Sequence, residues 1–140
     1  MGKILACDYG LRRIGIAITD ELQMIASPLE TVATNEIWEY LSRVIPAEQI
    51  EIVVVGEPKG LRGEATDATA AANNFAKRLP KRFDGVQVER VNEMFTSKMA
   101  SRALVAGGAK KSQRQKKGEI DKISAAIILQ DFLASRGSIF

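Results

Sequence analysis

The stretch Lys3-Ile4-Leu5-Ala6-Cys7-Asp8-Tyr9-Gly10-Leu11-Arg12-Arg13-Ile14-Gly15-Ile16-Ala17-Ile18-Thr19 decides how the rest of the chain is read. Lys3 to Asp8 is apolar through its middle and ends on a carboxylate, the pattern of a buried strand that reaches the rim of a sheet. Tyr9 to Arg13 is a turn around Gly10. Ile14 to Thr19 alternates and carries β-branched residues, so it is a second strand. A gap this short joins the two as an antiparallel hairpin.

The remaining elements extend that hairpin. Met24 to Val32 is a third strand, and Pro28 places it at an edge or a bulge. Asn35 is positioned to cap a helix through about Pro46, with Ile37, Trp38, Leu41, Val44 and Ile45 on its apolar face. Ile50 to Val55 is continuously apolar and stops at Gly56, as expected for a parallel strand covered on both faces. Residues 57–64 are an exposed loop. Thr66 or Asp67 opens an alanine-rich helix to about Arg82, and Val86 to Val91 is another strand. Thr96 to Ala106 is helical and ends at Gly107-Gly108. Residues 107–118 are very polar and expected to be mobile. A final helix covers Glu119 to Ser135, with Ile120, Ile123, Ile127 and Leu133 on one side. The order β-β-β-α-β-α-β-α-α predicts one α/β domain over residues 1–140. Its sheet has five strands, a three-stranded antiparallel meander plus two parallel strands, and is flanked by helices.

Composition narrows the chemistry. The chain has no histidine and a single cysteine, Cys7. Ser-His-Asp and Cys-His systems, histidine bases and a structural zinc site are therefore excluded. Cys7 sits in an apolar run and reads as a small buried hydrophobe. With one cysteine no internal disulfide can form, which suits a reducing compartment. No run of eighteen apolar residues occurs, so a cytoplasmic protein without a membrane partner is expected. What remains for chemistry is carboxylates, lysine, hydroxyls or a hard metal ion.

Three carboxylates are placed to act together. Asp8 ends a central strand, where ligand sites of α/β sheets gather. Glu93 follows the strand Val86 to Val91, which runs parallel to the first and delivers its end to the same edge. Asp121 lies in the first turn of the last helix, and the small residues Ala125 and Ala126 let that helix approach the sheet. Taken singly, each has a plain structural explanation as a turn, dipole or capping residue. Together they would repel one another, and a divalent cation removes that penalty. A carboxylate set without histidine or thiolate suits Mg²⁺ or Mn²⁺. Two such ions, about 3.5–4 Å apart, are the usual clamp for phosphodiester hydrolysis.

Basic residues gather near the same edge. Five of the eight residues from Lys110 to Lys117 are basic and none is acidic: Lys110, Lys111, Arg114, Lys116 and Lys117. Arg12, Arg13, Lys59 and Arg62 fall on neighbouring loops. With a formal net charge of +3, this distribution suits contacts to a nucleic-acid backbone.

The chain resembles the YqgF/RuvX family, small bacterial proteins similar to the RuvC Holliday-junction resolvases. Asp8-Tyr9-Gly10-Leu11-Arg12-Arg13-Ile14-Gly15 is similar to the family's opening DxGxxRIG. Val54-Val55-Gly56-Glu57-Pro58 resembles its VVGxP strand end. Asp121 to Gln130, with Ser124-Ala125-Ala126, resembles its closing helix. The resemblance spans nearly the whole chain. It implies a ribonuclease-H-like fold and a nuclease role in maturing the 5′ end of precursor 16S ribosomal RNA. It also implies Asp8, Glu93 and Asp121 as the catalytic, metal-holding carboxylates. Two positions depart from the pattern. The family's D-E-R after the last strand is Asn92-Glu93-Met94 here, and the second helix acid of RuvC-type resolvases is replaced by Ser124.

Three other readings compete. An Asp-x-Gly hairpin also opens actin-like ATPases, but those need a second lobe. A junction resolvase acting on branched DNA needs two sites, hence a homodimer, and the sequence leaves monomer and dimer open. A non-catalytic RNA-binding or ribosome-associated factor would bind RNA without turnover.

Overall fold

A computed structural model describes residues 2–57, 67–92 and 117–137, with the side chains of Glu57, Asn92 and residues 117–119 outside that description. The strands are β1 (Lys3–Tyr9), β2 (Arg13–Thr19), β3 (Ala26–Ala33), β4 (Ile50–Glu57) and β5 (Gln87–Asn92). The helices among these residues are α1 (Ile37–Ala47), α2 (Asp67–Arg82) and α3 (Lys117–Gly137). The sheet order is β3-β2-β1-β4-β5. β1–β2 and β2–β3 are antiparallel, and β1–β4 and β4–β5 are parallel. This is the ribonuclease-H-like mixed sheet. The expected helix over 96–106 and the polar segment 107–118 lie outside the described residues, save that Lys117 opens α3.

β1 is central, and its side chains are buried on both faces. Leu5 and Cys7 join Ile14, Ile16, Val53 and Val55 under α1 and α2. Ile4 and Ala6 join Ala17, Ile52 and Val54 under α3. The two faces differ in bulk. The α1/α2 face adds Tyr40, Leu41, Phe75 and Leu79. Each such side chain contributes about 1.5–3 kcal/mol on burial. The α3 face mixes large aliphatic residues with the small Ala6, Ala17 and Ala125, and at Gly15 it carries no side chain.

Several boundaries differ from the sequence expectation for local reasons. β3 begins at Ala26 rather than Met24, because the Asp20 carboxylate accepts the N–H groups of Met24 and Ile25, both at 2.9 Å, and ties them into a turn. Pro28 does lie on an edge strand, and the β2–β3 register shifts beside it, between Ile16 and Ala17. Asn35 does not cap α1. It lies inside a 3₁₀ turn, Thr34–Glu36, and Glu36 precedes the helix without a side-chain cap. Thr34 instead ties this turn to the β1–β2 loop: its N–H donates to the Arg12 carbonyl at 3.0 Å and its hydroxyl to the Gly10 carbonyl at 2.8 Å. β4 runs on to Glu57 because β5 continues beside it, pairing Gly56 with Val91 and Glu57 with Asn92.

α3 is rotated relative to the expected face. It buries Ser124, Ala125, Ile128 and Leu129, while Ile120, Ile123 and Ile127 are only partly buried. Leu133, also expected on the buried side, does pack against this cluster.

Candidate nuclease centre

Asp8 is the penultimate residue of β1 and pairs with Gly15 of β2 across the antiparallel ladder. Side chains alternate along a strand. Asp8 therefore shares its face with Ile4 and Ala6, the face that α3 covers. The parallel strands end at the same edge: Cys7 pairs with Val55, and Val55 with Arg90. β5 stops at Asn92, one residue before Glu93. Glu93 itself lies outside the described residues.

Gly15 brings the start of α3 to this point. A β-carbon there would stand 1.9 Å from the backbone carbonyl oxygen of Asp121. No side chain fits at that distance, so the first part of α3 rests directly on the backbone of β2, beside Asp8. The Asp121 carboxylate is then held by a charge-assisted hydrogen bond. Arg13 Nε donates to Asp121 Oδ2 at 2.9 Å, with both side chains partly exposed. Arg13 and Gly15 alternate onto the same face of β2, so one strand supplies both the seat and the clamp. Asp121 Oδ1 takes no partner among the described residues.

The residues between Asp8 and Arg13 shape the turn. A β-carbon on Gly10 would come within 2.5 Å of the Arg13 carbonyl oxygen, so only glycine lets the loop close here. Arg12 is exposed on this loop, at the carboxyl edge of β1. Cys7, the preceding residue, is wholly buried. Burial pushes its thiol up to about 12, and the neighbouring Asp8 carboxylate adds to the rise. It is an inert packing residue.

Asp8 and Asp121 are thus brought to one corner of the sheet. Among the described residues no group of three acidic, histidine or cysteine side chains converges as a metal site. Of the basic residues expected to touch nucleic acid, Arg12 is exposed at the loop surface and Arg13 is the partner of Asp121. Lys59, Arg62, Lys110, Lys111, Arg114 and Lys116 lie outside the described residues, as does the side chain of Lys117. The role of Arg13 toward Asp121 was missed by reasoning from charge alone. Its signal was the Arg13-Ile14-Gly15 triplet, in which the clamp and the seat are two residues apart. Ser124, which stands where RuvC-type resolvases have a second helix acid, is buried one turn after Asp121, and its hydroxyl has no hydrogen-bond partner among the described residues.

The sheet order, the carboxyl-edge Asp and the helix Asp seated on Gly15 define a protein of the ribonuclease-H-like class. The described part of the site contains carboxylates and no nitrogen or sulfur ligand. Comparison with known proteins makes the assignment particular. The model of the RuvX family, described as a Holliday junction resolvase family, matches residues 2–135, and the chain belongs to that family. A Flavobacterium johnsoniae protein named "Putative pre-16S rRNA nuclease" is 44% identical over 136 residues, covering 97% of this chain and 99% of its own. A Christiangramia forsetii protein of the same name is 46% identical over 133 residues, covering 95% and 98%. Among solved structures, Thermus thermophilus RuvC in complex with a Holliday junction substrate has a TM-score of 0.60 at 22% identity, covering 98% of this chain and 96% of that one. At that identity the likeness concerns the fold. No described helix is long and apolar enough to cross a membrane.

Proposed function

We propose that this protein is an endonuclease that hydrolyses phosphodiester bonds, and that its substrate is precursor 16S ribosomal RNA near the 5′ end. Relatives carrying that substrate in their names align with nearly the full chain. The single observation that supports catalysis most directly is the seating of the Asp121 backbone on Gly15, the residue paired with Asp8 across the ladder.

The residues present fit a hard divalent cation, Mg²⁺ or Mn²⁺. Asp8, the Oδ1 atom of Asp121 and Glu93 would hold one or two such ions. A bound ion supplies the Lewis acidity that phosphodiester hydrolysis needs. The protein's part is positional. Asp8 is fixed by the central strand. Asp121 is oriented by Arg13, which leaves one carboxylate oxygen for the cation. Arg12 at the loop surface, together with Lys59, Arg62, Lys110, Lys111, Arg114, Lys116 and Lys117, would neutralise substrate phosphates.

A resolvase acting on branched DNA is the second reading, favoured by the family description. It requires a homodimer with two sites. One assay separates the readings: structured precursor RNA, single-stranded RNA and a four-way DNA junction, each with Mg²⁺ or Mn²⁺. Asp8→Asn and Asp121→Asn should each keep the fold and lower the cleavage rate by about a thousandfold, since several kcal/mol of transition-state stabilisation disappear. Cleavage by Asp8→Asn at the unmodified rate defeats the assignment. RNA binding without turnover under either metal makes the chain a non-catalytic binding factor.

A further inference from the structure

The last two turns of α2 carry a charged surface that the site above does not use. Lys77, Arg78, Lys81 and Arg82 are all exposed. None of them is ion-paired to a carboxylate among the described residues. They form two rows at i, i+4 spacing, Lys77 with Lys81 and Arg78 with Arg82.

The two arginines are arranged rather than loose. Their guanidinium carbons stand 5.2 and 4.6 Å from the centroid of the Trp38 ring on α1. Trp38 is itself held between Phe75 at 5.0 Å and Phe83 at 6.3 Å. Stacking on a ring fixes a guanidinium while leaving its N–H donors available. No protein acceptor among the described residues takes those donors.

Ordinary helix chemistry explains only part of this. Cations in the last turn interact well with the helix dipole, which covers Lys81 and Arg82. The effect fades within a turn, and Lys77 and Arg78 lie further back. Like charges at i, i+4 repel, so four of them on one surface oppose helix stability. An anionic partner turns that repulsion into attraction.

The position is informative too. α2 leads from the carboxyl end of β4 to the amino end of β5. Its last two turns nevertheless reach Trp38, in the first turn of α1, whose start is tied through Thr34 to Gly10 and Arg12 at the Asp8 edge. α2 also covers the other face of the sheet from α3.

We propose that Lys77, Arg78, Lys81 and Arg82 form a second nucleic-acid contact, which grips the phosphate backbone of an extended substrate on the sheet face opposite α3. The proposal rests on the nuclease reading and extends it: the preferred substrate is long enough to pass from the Asp8 corner onto the other face of the sheet.

The test is the double variant Lys77→Gln/Lys81→Gln, which leaves the Trp38 stack in place. Binding is measured by fluorescence anisotropy across a salt series, using a long structured fragment of precursor ribosomal RNA and a hairpin of a few base pairs that contains the cleavage site. For the long RNA, affinity should fall about tenfold and the log–log salt slope should flatten by roughly 1.4–1.8, two contacts at 0.7–0.9 each. KM for the long RNA should rise with kcat unchanged, and cleavage of the hairpin should not change. An unaltered salt slope and KM in a double variant that still folds overturns this contact and leaves the nuclease reading standing. If the unmodified protein binds and cuts neither RNA, the nuclease reading fails and this proposal fails with it.

Discussion

The two faces of the sheet are built on different rules. Beneath α1 and α2 the chain packs large side chains, including Leu41, Phe75 and Leu79, with Trp38 at the margin. Beneath α3 it uses Ala6, Ala17 and Ala125, and at Gly15 it uses no side chain at all. The first face excludes water from apolar surface. The second also buries Ile4, Ile52, Ile128 and Leu129, but at Gly15 it leaves out a side chain, and the helix backbone at Asp121 comes close to β2 at the residue paired with Asp8. If Asp8 and Asp121 act as we propose, stability and chemistry are divided between the faces, and substitutions on each should report on different quantities.

The largest stability effect should come from the bulky face. Leu41 is fully buried, and Leu41→Ala should lower unfolding free energy by about 2–5 kcal/mol. Denaturant melts measure this. Cleavage per folded molecule should stay near normal at low temperature. A large loss of specific activity in the folded variant would break the division between faces.

Gly15→Ala tests the other face. The added carbon would collide with the Asp121 backbone. Overpacking of this kind costs about 1–3 kcal/mol. The helix must shift, so cleavage should fall much further than stability does. Crystals of the variant should show the start of α3 lifted from β2. Full activity with an unmoved helix would show that the close approach is incidental.

The contrast also explains what was legible in the sequence. Bulky apolar patterns are easy to read, so β1, β2, β4 and the hairpin were placed from residue types alone, and Pro28 marked the edge strand. Closeness achieved by small residues is harder to see. α3 has isoleucine or leucine on several sides, and the expected face ran through Ile120, Ile123 and Ile127. The buried face instead holds Ser124 and Ala125, because a helix resting on glycine presents its small residues to the sheet. Asp8, Glu93 and Asp121 were named together from two strand ends and a helix start; of these, Asp8 and Asp121 fall within the described residues. The link of Asp8 to Asp121 through Gly15, and of Asp121 to Arg13, required coordinates. The α1 start was misread for a similar reason: Thr34 is committed to Gly10 and Arg12, a tertiary tie that local capping preference does not include.

Arg13→Gln sharpens the comparison further. Removing the clamp frees Asp121 while leaving both faces packed. Groups that orient a metal-holding side chain typically contribute 10–100-fold. The cleavage rate should fall by about that factor, with a higher divalent-ion concentration needed for half-maximal activity. Stability should change little, because the pair is partly exposed. A rate equal to the unmodified protein's would leave Arg13 as a surface cation.

The smallest effect belongs to Cys7, which lies under the bulky face while its neighbour Asp8 points to the other. Its thiol is pushed from its ordinary 9.0 up to about 12, first by burial and then by the Asp8 carboxylate. Folding therefore favours the protonated thiol. Its contribution to stability is complete below pH 9 and is lost as pH rises from 9.0 toward 12. Across this window the unmodified protein should lose more stability than Cys7→Ala does, once other titrating groups are cancelled by comparing the two curves. At pH 8 the native protein should resist thiol reagents until it unfolds. Rapid labelling of the folded protein would mean that water reaches the underside of Asp8, and that the packing of the bulky face stops short of the catalytic edge.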